Sequence, residues 1–266
     1  MLAHPEQLCL LVRVDPVAFP AFRFRSMRAT EEIVGAMNSV EIKVIASGGL
    51  KAAYGELVPV FERESGQKVA TTFAGSTDIV KRIGAGEAFD LVIMPGTFID
   101  DLTRSKQIAA GSRVDLAKSG IGVAVRAGAP KPDISSGEAL KRALLAAGSI
   151  AYSSSASGIY LAGLFQHMDI ADALKARIKQ SPPGTPVGEL IARGEAEIGF
   201  QQVSELLPIG GIDFLGPLPA DIQHFTVFAG GLHVGAQAPE GAKALMRFIT
   251  APAAVPVIRK SGMEPT

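Results

Sequence analysis

Three short segments set hydroxyl groups beside glycines: Ser47-Gly48-Gly49, Gly75-Ser76-Thr77, and the run from Ser153 to Gly158, which holds Ser153, Ser155 and Ser157. Each follows a β-rich run and precedes apolar residues at helical spacing, so each reads as a strand-to-helix turn. A helix N-terminus leaves backbone N–H groups unpaired and carries a partial positive dipole. With a hydroxyl and a glycine-opened backbone beside it, such a turn can bind an anion without a cationic side chain. These turns lie at the carboxyl ends of parallel strands, where open α/β sheets bind ligands, and three of them could meet in one crevice. Helix capping by each serine is the alternative. Gln201-Gln202 ends a further strand, and two amides there point toward the same crevice or form a surface hydrogen-bonding pair.

Other chemistry is poorly represented. The chain has no Gly-x-Ser-x-Gly elbow, no Gly-x-x-x-x-Gly-Lys loop, no Gly-x-Gly-x-x-Gly fingerprint and no His-Glu-x-x-His. His4, His167, His224 and His233 are each isolated from other ligand types at metal spacing, so no metal site is expected. Cys9 is the single cysteine and has no thiol partner. Asp100-Asp101 and Glu31-Glu32 read as solvated helix faces, and Asp78 as a first-turn dipole partner. No cofactor is called for.

The composition narrows the partner class. With 26 basic and 26 acidic residues the chain has no net formal charge, and no block has the basic excess that binds nucleic acid. Aromatics are 6% and Trp is absent, which leaves little for stacking bases or sugars. At 47% hydrophobic the 266 residues can build a large core, and no apolar run reaches the roughly 18 residues of a membrane helix. The 29 glycines and 17 prolines imply many turns.

The elements that must position the serines alternate strand and helix, which predicts an α/β fold with a largely parallel sheet. Strands are expected at 42–45, 68–73 and 91–94, with helices after the first two turns and after Pro95-Gly96. A strand carries Ile121, Val123 and Val125, and Ser135 with Glu138 reads as a capping box for the helix holding Leu140 and Leu144. Further along come a strand at 149–152, a turn at 153–158, helices at 160–167, 171–178 and 187–193, and strands at 196–201, 212–215 and 225–229. Helices near 240–249 and 253–260 close the chain. The expected organisation is an N-terminal extension over 1–39, a first lobe of 40–119 plus 220–266, and a second lobe of 120–219. Arg13, Asp15, Arg23 and Arg25 break up the apolar patches of the first forty residues, so no signal peptide is readable. The extension reads as an appendage upstream of Met37, with an ordered arm as the alternative.

Three runs carry a resemblance: Val44-Ile45-Ala46-Ser47-Gly48-Gly49-Leu50, Phe73-Ala74-Gly75-Ser76-Thr77, and Gly86 to Ile93. Together with Ser157-Gly158-Ile159-Tyr160 and Arg193 to Gly199, they resemble the bacterial molybdate-binding, type II periplasmic solute-binding family, from about Val40 to the C-terminus. The resemblance implies two doubly wound α/β lobes joined by two crossover strands, with an anion held in the cleft by hydroxyls and backbone N–H groups. It places Ser47 and Ser76 at the ligand, with Gly48, Gly49 and Thr77 of the same turns as candidates beside them. Ser157 stands where the family has an alanine whose N–H reaches it, followed by Gly158 and Tyr160, and the 184–187 region replaces a further backbone contact. Gln202 stands where the family has the tyrosine that closes the site. An amide in place of a phenol, beside the serines at 153–157, implies a more polar cleft, suited to a small organic acid.

The function so implied is a monomeric solute-binding protein that closes its lobes on a small anion and, if exported, delivers it to the membrane subunit of an ABC transporter. The family is periplasmic; without a readable signal peptide a cytosolic location stays open. The alternative is a cofactor-free isomerase. Gly194 to Leu207 is also similar to chains of this superfamily that resemble aconitate isomerases, which move a double bond by proton transfer on a tricarboxylate. No proton-transfer base is identifiable from the sequence for that reading.

Overall fold

The structure is a computed structural model that describes residues 41–266 apart from Pro183. The expected extension over 1–39, with His4, Cys9 and the Glu31-Glu32 pair, lies outside the described residues. The chain opens with β1 (Ile42–Ala46), a 3-10 turn at Gly48–Leu50 and α1 (Lys51–Ser65). Ala53, Tyr54, Leu57 and Phe61 recur at three- and four-residue spacing on α1 and are buried. Each large apolar side chain so placed contributes about 1.5–3 kcal/mol. Gly66 ends the helix at φ 71, the left-handed conformation that glycine adopts without a Cβ penalty.

There follow β2 (Val69–Phe73), α2 (Ser76–Gly84), β3 (Leu91–Pro95) and α3 (Gly96–Arg104). Next is β4 (Val114–Arg126), a strand of 13 residues. The second half of the chain contains α4 (Gly137–Ala146), β5 (Ile150–Tyr152), α5 (Ala156–His167), α6 (Ala171–Leu174) and β6 (Ile178–Gln180). It continues through α7 (Val187–Ala192), β7 (Ile198–Gln202), α8 (Val203–Leu206) and β8 (Ile212–Pro217). The last elements are β9 (Phe225–Leu232), α9 (Pro239–Ile249), α10 (Val255–Lys260) and β10 (Glu264–Pro265).

The strand order is β2-β1-β3-β9-β4-β7-β5-β6, with β8 and β10 also paired to β4. β1 is parallel to β2 and β3, and β5 is parallel to β6 and β7, so two parallel cores flank the long strand. From Val114 to Gly120, β4 runs antiparallel to β9; from Ile121 to Val125 it runs antiparallel to β7. One strand therefore leaves the first sheet and enters the second. The return passes from β8 through Leu218 to His224 into β9. The two crossings are fastened at Ile121, whose N–H donates to Gln223 Oε1 (2.8 Å) and whose carbonyl accepts from Gln223 Nε2 (3.1 Å).

Helices cover both faces of each sheet. On the first sheet, α1, α9 and α10 pack on one side around Leu50, Phe61, Leu245 and Ile258, and α2 and α3 on the other around Ile79, Ile83, Ile99 and Leu102. On the second, α4 and α5 bury Leu140, Leu161 and Phe165, while α7 and α8 bury Val187, Ile191 and Leu206.

Four local expectations are corrected. Helix α4 is capped by Ser136, whose side chain accepts from the Ala139 N–H (3.2 Å), while the Ser135 N–H donates to Asp133 Oδ1; the cap is displaced by one residue, and Ala139 in the third position has no side chain to close a reciprocal box. Helix α5 starts at Ala156, which puts Ser157 and Gly158 in its first turn rather than in a loop. The helix expected over 171–178 is a four-residue α-turn and a 3-10 turn, and Ile178 begins an edge strand. Strand β4 begins seven residues before Ile121.

Candidate functional site

The carboxyl ends of β1, β2, β5 and β7 open on one cleft of ≈ 580 Å³. Gly48, Lys51 and Phe73 to Thr77 line it from the first sheet, and Ser153 to Ser155, Ser181, Thr185, Gln201, Ser204 and Glu205 from the second. Among the residues singled out in the sequence, Gly48, Ser76, Thr77, Ser153, Ser155 and Gln201 thus come together on the wall.

None of the three serine turns is a side-chain cap. Ser47 precedes the 3-10 turn without capping it, and its buried Oγ has no hydrogen-bond partner among the described residues. In α2 the N-cap is Gly75; Ser76 and Thr77 are the first helical residues, and the first backbone bonds are those from Asp78 and Ile79 N–H to the Gly75 carbonyl. The Ser76 and Thr77 N–H groups therefore precede the hydrogen-bonded ladder at the positive end of the helix dipole. Ser155 is the N-cap of α5 but makes no cap bond; its Oγ lies 2.6 Å from Ser153 Oγ.

Six candidates do not line the cleft, Ser47 among them, buried next to the wall residue Gly48. Gly49 packs on the Phe228 ring. Ser157 is fully buried, its Oγ 3.5 Å from Ser153 Oγ. A Cβ on Gly158 would stand 1.6 Å from the Ser153 carbonyl oxygen, so the glycine lets α5 start hard against the serine loop and thereby sets its position. Tyr160 turns to the second crossing, where its hydroxyl donates to the Ile222 carbonyl (2.9 Å) and its ring stacks on His224. Gln202 sits where the two sheets meet. With its amide oriented to satisfy both ends, its nitrogen donates to the Ser119 carbonyl (2.9 Å) and its oxygen accepts from the Thr226 hydroxyl (2.8 Å). It therefore fastens β7 to both crossing strands, Ser119 lying on β4 and Thr226 on β9, and the short helix α8 follows it at once.

That helix brings a residue the sequence did not single out. Glu205, half-buried in α8, faces the first sheet across the cleft, with Oε1 2.6 Å from where a Cβ on Gly48 would stand. Burial pushes its carboxyl up to about 7, and hydrogen bonding from the Gln201 side chain and the Gln202 backbone holds it from rising further. Its neighbour Ser204 ties α8 to the first turn by donating to the Gly49 carbonyl (2.7 Å). The only signal available in the sequence was position, three residues beyond a strand end that already carried two amides.

The remaining charges on the wall are Lys51 and Glu189. Lys51 Nζ stands 5.5 Å from the centre of the Phe73 ring, and Glu189 pairs with Arg193 (3.4 Å). Asp100 and Asp101 are spent on Arg113 and Arg104. Among the described residues no three His, Cys, Asp or Glu side chains are grouped to hold a metal ion.

Residues 42–264 match the family model of bacterial extracellular solute-binding proteins. The chain belongs to this family. An aconitate isomerase from a Pseudomonas species is 40% identical over 89% of this chain and 92% of its own. The molybdate-binding protein ModA of Escherichia coli is 25% identical over 68% of this chain and 72% of its own. Among solved structures, the periplasmic molybdate-binding protein of Azotobacter vinelandii superposes with a TM-score of 0.72 at 19% identity, covering 85% of this chain and all of that one. The sulfate-binding protein SubI of Mycobacterium tuberculosis gives 0.69 at 16%, over 85% and 87%. The ModA-like membership and the type II periplasmic binding fold implied by the serine-turn motifs both hold.

Proposed function

We propose that the cleft binds a small organic di- or tricarboxylate and moves its double bond, as an isomerase of the aconitate type. The observation that carries the ligand class is the wall itself: hydroxyls and the N-terminal turn of α2 converge on ≈ 580 Å³. That volume lies in the range of sites for organic ligands. Ser47, Gly48, Ser76, Thr77, Ser153, Ser155 and Gln201 are the contacts proposed. A bound carboxylate would give the unpartnered Ser47 hydroxyl a hydrogen bond and take others from the start of α2. Turnover is supported by the 40% identity to an aconitate isomerase, which extends over nearly the whole of both chains.

A second reading is a receptor that hands the same anion to the membrane subunit of an ABC transporter. Membership of the solute-binding family and the two-strand crossing favour it. A melting-temperature panel of molybdate, sulfate, citrate, cis-aconitate and trans-aconitate tests the ligand class. At about 100 times its dissociation constant a native-state ligand adds about 2.7 kcal/mol, a rise of about 5–10 °C for a chain of this size. The carboxylates are expected to give that rise. A response to molybdate or sulfate alone would sink the organic-acid reading.

A further inference from the structure

A carboxyl group in a cleft built for anions repels its ligand when ionised, so its presence there asks for a role. Three observations bear on Glu205. It projects from the helix that follows β7, at the carboxyl end of a central strand, and its Oε1 packs against the Gly48 backbone of the facing turn. Behind it, Gln201 Oε1 accepts the Val187 N–H (2.8 Å), which leaves the Gln201 NH2 group free to face the Glu205 carboxyl and to hold its proton affinity down. The other titratable groups on the wall are committed elsewhere, Glu189 of α7 to Arg193 and the Lys51 ammonium of α1 to the face of Phe73. Among the described residues no His, Asp, Cys or Tyr lines the cleft.

We propose that Glu205 is the catalytic acid–base of this cleft, taking a proton from the saturated carbon of a bound unsaturated polycarboxylate and delivering one to the far carbon of its double bond, with Gln201 as the positioning residue. The proposal rests on the isomerase reading above. In the step, the allylic C–H bond breaks as its proton passes to a Glu205 carboxylate oxygen. The freed pair forms a double bond to the central carbon, the former π pair shifts to the third carbon, and that carbon takes a proton from the Glu205 carboxylic acid. The carboxylate is regenerated, and no oxidant or reductant is involved. Charge that builds on the flanking carboxylates during the transfer meets the Ser76 hydroxyl and the N–H groups at the start of α2. A carboxyl raised to about 7 suits the task, since a group that titrates near the working pH is populated in both the accepting and the donating form.

The test follows trans-aconitate by proton NMR with wild type, Glu205→Gln, Glu205→Asp and Gln201→Ala, and measures binding of the same acid by calorimetry. Glu205→Gln is expected to lose about 10²–10⁴-fold in kcat while binding the acid as well as wild type or better, because a like charge has been removed. Binding at that level also demonstrates that the variant is folded. Glu205→Asp, which keeps the carboxyl, is expected to recover part of the rate. Gln201→Ala removes a hydrogen bond that favours the ionised carboxyl, so the acidic limb of its kcat/KM profile moves to higher pH. Glu205→Gln turning over within tenfold of an active wild type overturns the assignment of Glu205 and leaves the isomerase reading standing. A wild type that binds the acid and never converts it overturns the isomerase reading, and the assignment with it.

Discussion

Glu205 reaches across the cleft to the backbone of Gly48, its Oε1 2.6 Å from the place a Cβ would occupy. The contact joins the first turn of the chain's opening sheet to the helix that ends the last parallel strand of the other. Gly48→Ala is therefore expected to displace the carboxylate, the far end of a flexible side chain, at little cost in stability. The melting temperature should stay within a few degrees of wild type while isomerisation of trans-aconitate falls about tenfold or more. Melting and rate measured on one preparation check this, and an unchanged rate would mean the carboxylate's place at Gly48 is not needed.

Ser47→Ala and Ser76→Ala separate ligand contacts from helix caps. Neither side chain caps a helix, and Ser47 Oγ has no partner to lose. Each substitution is expected to leave stability unchanged and to weaken carboxylate binding by about 1.5–3 kcal/mol, the value of a hydrogen bond to a charged group. Calorimetric titration and thermal melting decide it; lower stability with unchanged affinity would assign both serines to the fold.

Much of this frame was legible. Period-3.6 patterns mark α1 and α9, each of which buries one consistent face, and short apolar runs mark β1 and β3, which are covered on both faces. What escaped notice had weaker patterns. The first half of β4 carries Asp115, Lys118 and Ser119 among its apolar residues, since it is half a crossing rather than a central strand. Strand β6 is a three-residue edge paired only to β5, mostly exposed, so no apolar run announces it. Gln202 was legible as polar and as a strand end, but whether its amide faces a cleft or a neighbouring strand depends on the path of β9, far along the chain. Glu205 looked like any acidic residue in a first helical turn. Its raised pKa comes from burial by the opposite sheet, which local sequence does not encode.

The Glu205 carboxyl also links stability to pH. Its proton affinity rises from an ordinary 4.5 to about 7 on folding, so between those values the folded chain holds the proton more tightly than the unfolded one. The stabilisation is complete below about pH 4.5 and is lost as pH rises through 7, at about 1.4 kcal/mol for each pH unit by which the two affinities differ. Glu205→Gln lacks this dependence, so its stability relative to wild type should increase from pH 5 to pH 7. Urea unfolding of both proteins across that range is the check, and a constant difference would contradict the raised affinity.

Thr226→Val tests the fastening of the two crossings. The substitution keeps the shape of the side chain and leaves the Gln202 amide oxygen without its donor, an expected loss of about 1–3 kcal/mol in stability. Because Gln202 does not line the cleft, carboxylate affinity should change far less than in the Ser47 and Ser76 variants. A variant of wild-type stability would show that the Gln202–Thr226 bond contributes nothing to the fold.

Whether this cleft turns over an unsaturated polycarboxylate is decided by incubating the purified chain with trans-aconitate and following the vinyl and methylene protons by NMR. Cis-aconitate is expected to accumulate, and the same final ratio to be reached when the incubation starts from the cis isomer. Signals that stay unchanged at protein concentrations matching the acid, in a sample where calorimetry shows the acid bound, would contradict turnover.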